Sequence, residues 1–385
     1  MSFMDRISRW LAGTETRASE PSWNALAPGL GFYGGLSARA AENLSTVYAC
    51  STAIGSSLGS IPALVYRIEG GQRIEAMGHP LYRLTRQGVT ELMTWPDFIE
   101  HLVVSALLTG NGLAEVLRNA NGGLSGFRFI PWSTVSVAQL ASGRLAYDVT
   151  DARGRTRRLL QGEVIHLRDR TDDGMIGRSR LSRAQDAVSG VDAANTFARS
   201  FLENSAMPGG VLKAAHRLTT QQMESIRSQA AQRLQGPANA GRFLVMDDGL
   251  DWQPTQVSPE DAELLESRKF GVEEICRLFQ VPPPLVQDYS HNTFTNSETA
   301  GRWFAMFTLA PWARKIEAEF ARSVFPSNGA YELELDLSGF LRGDPKTRWD
   351  AHKIAIETGV LDPDEVRQVE GWNPRDKPAP TEVTI

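Results

Sequence analysis

Two long amphipathic runs enclose a short module of different character, and this arrangement limits the architecture more than any other feature. The first, LSRAQDAVSGVDAANTFARSFLENS over 181–205, repeats Ala184, Val188, Val191, Ala198, Phe201 and Leu202 at helical spacing. Arg183, Asp186, Asp192 and Arg199 fall elsewhere on the wheel. The second opens at Ser258, where Ser-Pro-Glu-Asp supplies an N-cap, a proline at N1 and acids in the first turn. Its stripe is Leu264 or Leu265, Arg268, Val272, Ile275 or Cys276, and Phe279. It stops at Pro282, Pro283 and Pro284, which lack N–H donors and fix φ. Between them, 206–257 reads as a small α/β insert. MPGG breaks the first helix, GVLKA is a strand, Thr219 with Gln222 fits a capping box, and GRFLVM and LDWQP are further strands. An insert on two helical stalks projects from the body that carries it.

That body occupies the rest of the chain. Residues 14–40 are rich in Gly, Ser, Ala and Pro and read as an extended arm, preceded by a short amphipathic start with Phe3, Ile7, Trp10 and Leu11 on one face. A helix is expected over about 43–60 and a strand in IPALVYRI. A second helix is expected from the N-cap Thr94 to Gly110, with Pro96 in its first turn. From 111 to 167 the pattern turns to strands, with NANGG as a hairpin turn; these predict one mixed, mainly antiparallel sheet with helices packed on it. Beyond the prolines lies a polar loop, QDYSHNTFTNSE. Thr295 with Glu298 then opens a helix to about 325, with a kink expected at Pro311. YELELDL is a strand, Asp344-Pro345 and Asp362-Pro363 each open a helix, and the tail KPAPTEVTI reads as loose. The fold class expected is α+β.

The chain has 385 residues, enough for two to three domains, and a net charge of −5, which disfavours tight nonspecific DNA binding. Charge is uneven: 144–183 holds ten Arg against six acids, and 258–288 holds seven acids against three bases. Two solvated faces explain this, and so would complementary surfaces between neighbouring copies. No apolar run approaches the roughly 18 residues of a membrane span, so no membrane partner is expected. Cys50 and Cys276 both lie in apolar helical patterns and read as buried free thiols.

Little points to catalysis. GSSLG at 55–59 matches G-x-S-x-G, but that pattern works only as a strained strand-to-helix turn, and here it ends a helical run. Small residues for close helix packing explain it. Asp169, Asp172 and Asp173 fit a turn around Gly174 better than a cation loop. The six histidines show no zinc spacing, and His166 reads as a strand histidine with a satisfied hydrogen bond. No phosphate loop or dinucleotide fingerprint is present, so no cofactor and no metal are expected.

Five stretches in order resemble the portal proteins of tailed bacteriophages, nearest to those of small siphophages, prophages and gene transfer agents. They are STVYACSTAIGSSLGSIPALVYR, TGNGLAEVLRNANGGLSGFRFIPWSTVSV, EVIHLRDRTDDGMIGRSRLSRAQDAV, NSAMPGGVL and EEICRLFQVPPPLV. The opening MSFMDRI is also similar. The resemblance covers about 40–373.

It implies a ring, usually of twelve copies, at one capsid vertex of a virion or phage-like particle, assembled in the host cytoplasm. Double-stranded DNA passes through the ring. The implied partners are the terminase large subunit, a head-to-tail adaptor and the major capsid protein; the chain itself is noncatalytic. By resemblance 1–40 is an arm, 41–180 a wing, 181–205 and 258–284 stem helices, and 206–257 a clip. Residues 285–297 are then a tunnel loop, 298–344 a long helix returning to the wing, and 345–385 a short crown and tail. The prolines would be the hinge, with Leu285 and Val286 anchoring the loop. Gln287, Tyr289, His291, Asn292, Thr293 and Asn296 would face DNA without fixed positive charge. Lys213, Arg217, Arg227, Arg233 and Arg242 of the clip would meet an acidic partner or the DNA entrance; a solvated helix face explains them equally. Another, shorter head-to-tail connector ring, or an enzyme acting on DNA or, through Ser57, on an ester, are the alternatives, and the two-stalk insert argues against the adaptor.

Overall fold

Local signals set the first elements of the body. The computed structural model describes residues 21–24, 38–203, 211–214, 219–221, 223–225, 250–253, 260–289, 294–325, 329–341, 345–370, 372 and 375. Helices α1 (Ser45–Ser60), α2 (Pro80–Gln87) and α3 (Trp95–Thr109) come first. Thr94 and Asp97 form a reciprocal capping box at the start of α3, and Gly110 ends it at φ 90°, a conformation that glycine adopts without strain. Helices α1 and α3 pack closely because α1 presents glycine. A Cβ on Gly59 would lie 2.7 Å from the Pro96 carbonyl oxygen, and one on Gly55 would lie 2.8 Å from Val104.

The strands form several small sheets, and every pair among the described residues is antiparallel. Strands β2 (Ala63–Glu69), β3 (Gln72–Glu75) and β12 (Tyr331–Leu335) make one, in the order β12-β2-β3. Strands β4 (Asn111–Arg118), β5 (Leu124–Ile130) and β9 (Val164–Arg168) make a second, with β4 central. A third runs β1 (Pro21–Asn24), β6 (Val135–Leu140), β7 (Leu145–Thr150), β8 (Thr156–Leu160). The single mixed sheet expected over 111–167 is therefore two antiparallel sheets. Strand β4 explains the division, since it is buried on both faces. Ala114 and Val116 join the helical core with Phe98, Leu102 and Phe127. Leu113 joins a second core between the two sheets with Ile130, Val137, Tyr147 and Val164. Two facing sheets supply that second core; one sheet would leave a face of β4 bare.

The stalk helices are α4 (Gln185–Glu203), entered through a short turn of helix at Arg180–Arg183, and α5 (Glu260–Phe279). Between them β10 (Val211–Ala214) pairs antiparallel with β11 (Leu250–Gln253), so the insert does begin and end on a ladder. Ser258, Gln222 of the expected Thr219 box, GRFLVM, the amphipathic start at 1–13 and the tail lie outside the described residues.

After the prolines, α6 (Phe294–Trp303) continues through a π-helical turn (Phe304–Leu309) into α7 (Ala310–Ser323). The helix starts at Phe294, so Thr295 lies inside it rather than capping it. Pro311 has no N–H to donate, and the π turn immediately before it widens the ladder, with the Ala310 N–H reaching back to Ala305. Phe320 of α7 packs edge-on against Trp95 at 5.5 Å and Phe127 at 5.4 Å, which fixes the helix on the body. Helices α8 (Pro345–Glu357) and α9 (Pro363–Val369) end the described chain, with Glu370 bridging to Arg348 and His352.

Candidate functional site

The second stalk helix ends by a device that the sequence does not advertise. Gln280 adopts φ 59° and takes the left-handed position that glycine usually fills. Its N–H bonds the Arg277 carbonyl at 3.2 Å, and the Val281 N–H bonds the Cys276 carbonyl at 2.9 Å. This is a Schellman closure, and Val281 and Cys276 bury the apolar contact that accompanies it. The helix is therefore stopped before the prolines are reached, which corrects the expectation that they terminate it.

The carbonyls left over are met from other elements. Arg180, at the mouth of the first stalk, donates to the Phe279 carbonyl at 2.9 Å and the Leu278 carbonyl at 3.4 Å. Its Nε donates to Asp169 at 3.0 Å, and both side chains are largely buried, at 16% and 6% exposure. The Thr308 hydroxyl, from the π turn, donates to the Gln280 carbonyl at 2.5 Å. Every carbonyl from Cys276 to Gln280 thus has a donor, drawn from both stalks and the long helix. Charge and hydrogen bonding meet at one buried point that joins four segments.

The three prolines then form a compact turn. Pro283–Val286 is a short 3-10 helix, ended by Gln287 at φ 64°. The Pro282, Pro283 and Pro284 carbonyls accept from the N–H groups of Leu285, Asp288 and Gln287 at 3.0–3.1 Å. The turn uses proline only as an acceptor, so the missing donors cost nothing here. Val286 packs against the main core, whereas Leu285 stays 39% exposed, so only one of the two residues expected to anchor the loop does so.

Of the residues expected to face a channel, Gln287 and Tyr289 are exposed in this turn. Asn296 is not in a loop: it lies in α6, because the helix begins at Phe294. His291, Asn292 and Thr293 lie outside the described residues. Lys213 lies on β10, and Arg217, Arg227, Arg233 and Arg242 are outside the described residues. Beside the turn, α6 and the π segment present Trp303, Met306 and Phe307 on one exposed face, with Trp303 and Phe307 each 61% exposed. Together with the prolines, Cys276 and Gln280, Trp303 and Phe307 line a groove of about 770 Å³.

The Arg-rich segment is less free than its composition implies. Arg155 pairs with Asp151, Arg157 with Glu115, Arg158 with Asp148, Arg168 with Glu319, and Arg178 and Arg183 with Asp172. With Arg180, at least seven of the ten arginines pair with a carboxylate of the same chain. Asp173 accepts from the Met175 and Ile176 N–H groups, as a turn residue does. The loop that carries these acids is tied down at Gly177, whose N–H and carbonyl both meet the Asn111 amide. That orientation makes Asn111 Oδ1 the acceptor for His166 Nε2 at 3.0 Å, so His166 Nδ1 accepts from the Tyr147 hydroxyl at 3.0 Å. Burial, aided by the Arg168 and Arg322 charges, holds His166 well below its usual range, and it is neutral. Ser57 lies within α1, flanked by Gly55 and Gly59, and no strand-to-helix elbow surrounds it.

The chain is thus an α+β body from which two stalk helices flank a small insert, with a long helix returning to the body. The phage portal protein family model matches residues 45–371, and the chain belongs to that family. It is 28% identical over 350 residues to the probable portal protein of Streptomyces phage phiC31, spanning 87% of this chain and 76% of that one. It is 27% identical over 337 residues to the portal protein of Enterobacteria phage HK97, spanning 86% and 79%. The fold is shared with a chain in the neck of the native gene transfer agent particle, computed with C12 symmetry. The TM-score there is 0.60 at 23% identity, covering 97% of this chain and all of the other.

Arg180, Thr308 and Gln280 are the residues sequence reading missed. Arg180 is one arginine among ten, Thr308 lies in an apolar helical run, and glutamine carries no left-handed signal. The nearest cue was the abrupt polar-to-proline ending at 280–284.

Proposed function

We propose that this chain assembles into a closed ring at one vertex of a phage or gene-transfer-agent capsid and serves as the conduit for double-stranded DNA. The observation that carries the reading is the family match across 45–371 together with the pair of stalk helices that flank 206–257 in the chain. Twelve copies is the number favoured by the C12 neck of the particle whose fold it shares. The exposed face of Trp303, Met306 and Phe307 supports assembly, because an isolated subunit leaves it in water. In this reading the stalks are the stem, 206–257 is the clip that docks the terminase large subunit and later the adaptor, and 345–385 is the crown. The wing meets the major capsid protein. Assembly takes place in the host cytoplasm, and nucleotide hydrolysis belongs to the terminase.

The turn at Pro282–Tyr289 leads into the channel-facing loop, with Gln287 and Tyr289 at its exposed start. A neutral polar lining suits a conduit, since each fixed phosphate contact adds salt-dependent grip. Electron microscopy of the chain coexpressed with its capsid proteins tests this. Closed rings with a channel of roughly 20 Å or more, wide enough for a duplex, are the expected result. Particles that never close, at any concentration, would overturn it.

A further inference from the structure

Cys50 of α1 and Cys276 of α5 stand 226 positions apart in sequence and 4.0 Å apart between sulfurs. Both are free and buried. Cys50 belongs to the helical core of the body, and Cys276 to the last turn of the second stalk, within the Schellman closure. Neither takes part in the function proposed above. Their burial differs in one respect: Cys50 is sealed, whereas Cys276 lines the groove of about 770 Å³ beside Arg277, Thr299 and Ala300.

We propose that Cys50 and Cys276 form an oxidation site, at which a small neutral peroxide entering by the groove converts the two thiols into a disulfide joining the body to the stalk. The Cys276 sulfur attacks one peroxide oxygen, the O–O bond breaks, and the leaving oxygen departs as water with the Cys276 proton. Cys276 is then a sulfenic acid. The Cys50 sulfur attacks it, the S–O bond breaks, and a second water leaves with the Cys50 proton. One peroxide is reduced by two electrons and two thiols are oxidised by one each.

Buried thiols are usually inert, and two features set this pair apart. The groove gives a small uncharged oxidant a path to Cys276. The Cys50 thiol donates to the Cys276 sulfur, which favours ionisation at Cys276 and opposes it at Cys50. The order of attack follows: Cys276 reacts first and Cys50 resolves. Bond formation requires the sulfurs to close from 4.0 Å to about 2.0 Å, a side-chain rotation and small helix shift.

The test treats the full-length protein, as subunits before ring closure so that the groove is open, with hydrogen peroxide, blocks remaining thiols with N-ethylmaleimide after unfolding, and maps peptides by mass spectrometry. The expected product is one intrachain peptide pair linking Cys50 to Cys276, lighter by two hydrogens and restored by dithiothreitol. Cys50→Ser should remove the link and leave Cys276 trappable by dimedone as a sulfenic acid. Cys276→Ser should leave Cys50 unmodified. Ala300→Phe, which fills the groove at a half-buried site, should slow oxidation severalfold in the parent background. Two unlinked, fully alkylated thiols after peroxide would overturn the proposal, as would links between different copies. Sulfenic acid on Cys50 in the Cys276→Ser protein would overturn the order, and an unchanged rate in Ala300→Phe would overturn the path.

Discussion

Replacing Arg180 with alanine removes the side chain on which the stalk junction converges. Three losses follow. Asp169, 6% exposed, loses its ion-pair partner. The Phe279 and Leu278 carbonyls lose their donor at the end of α5. The cation beside the Trp312 ring, 5.8 Å from its centroid, goes as well. Breaking one side of a buried ion pair costs about 3–5 kcal/mol, and an orphaned buried carbonyl about 1–3 kcal/mol. The losses share one site and do not add, and water entering the gap offsets part of the second. An overall loss of about 4 kcal/mol is expected, a large share of the ~5–15 kcal/mol that holds a typical domain.

The loss should also be local. Hydrogen exchange at the Gln280 and Val281 amides, which close the last turn, should quicken on the order of 10²-fold if about 3 kcal/mol of the effect falls on that turn. Arg180→Lys should lie between, since a point charge can hold Asp169 without forking to the carbonyls. Asp169→Asn should cost less than Arg180→Ala, because it leaves the helix cap in place. Denaturant unfolding with exchange read by mass spectrometry measures both quantities. An Arg180→Ala protein within about 1 kcal/mol of the parent, with unchanged exchange at 280 and 281, would refute the assignment of the junction to this residue.

Other perturbations follow from the same geometry. Gly59→Ala drives a Cβ to within 2.7 Å of the Pro96 backbone oxygen and should cost about 1–3 kcal/mol in thermal unfolding, whereas Ser57→Ala should leave unfolding and ring assembly unchanged. Pro283→Ala with Pro284→Ala keeps the accepting carbonyls but frees φ; rings should form and DNA packaging, measured as protected DNA per particle, should fall. Stability should drop as pH falls below about 6.5: His166, and to a lesser degree His79, resist protonation in the folded state, so the unfolded chain takes up more protons there. The slope between pH 6.5 and 5 should be shallower in His166→Gln, as denaturation midpoints across that range would show.

The sequence was most informative where a signal is local. Thr94 and Asp97 cap a helix three residues apart, Gly110 ends it, and the small-residue reading of GSSLG needed only the helical period around it. Strand positions over 111–168 were legible for the same reason, but their division into two sheets was not. That division depends on which face of β4 each neighbour covers, and Leu113 and Ala114 look alike in a sequence. Helix ends went the other way: Pro282 is so strong a stop signal that it hid the real stop at Gln280, which works through tertiary partners. Arg180 and Thr308 reach three successive carbonyls, Leu278 to Gln280, from 128 positions apart in the numbering, and no spacing rule joins them.

The polar and apolar needs of this subunit are met in different ways, and that difference bears on assembly. At the junction each carbonyl from Cys276 to Gln280 is satisfied within the chain, by Arg180, Thr308 and the turn itself. The adjoining face of Trp303, Met306 and Phe307 is left in water. An unmet buried carbonyl would have to find a donor with good geometry on a neighbour, and a ring closing by successive additions would meet that demand at every step. An apolar face asks only for area, and tolerates the small adjustments by which the last subunit enters. Closing the polar junction in cis and leaving the apolar face for a partner lets the stalks be rigid before assembly and the ring still close. Trp303→Ala with Phe307→Ala should therefore weaken ring formation, read by sedimentation across a concentration series, while leaving exchange at Gln280 and Val281 slow. Fast exchange at those amides in the same protein would show that the junction depends on the neighbour after all.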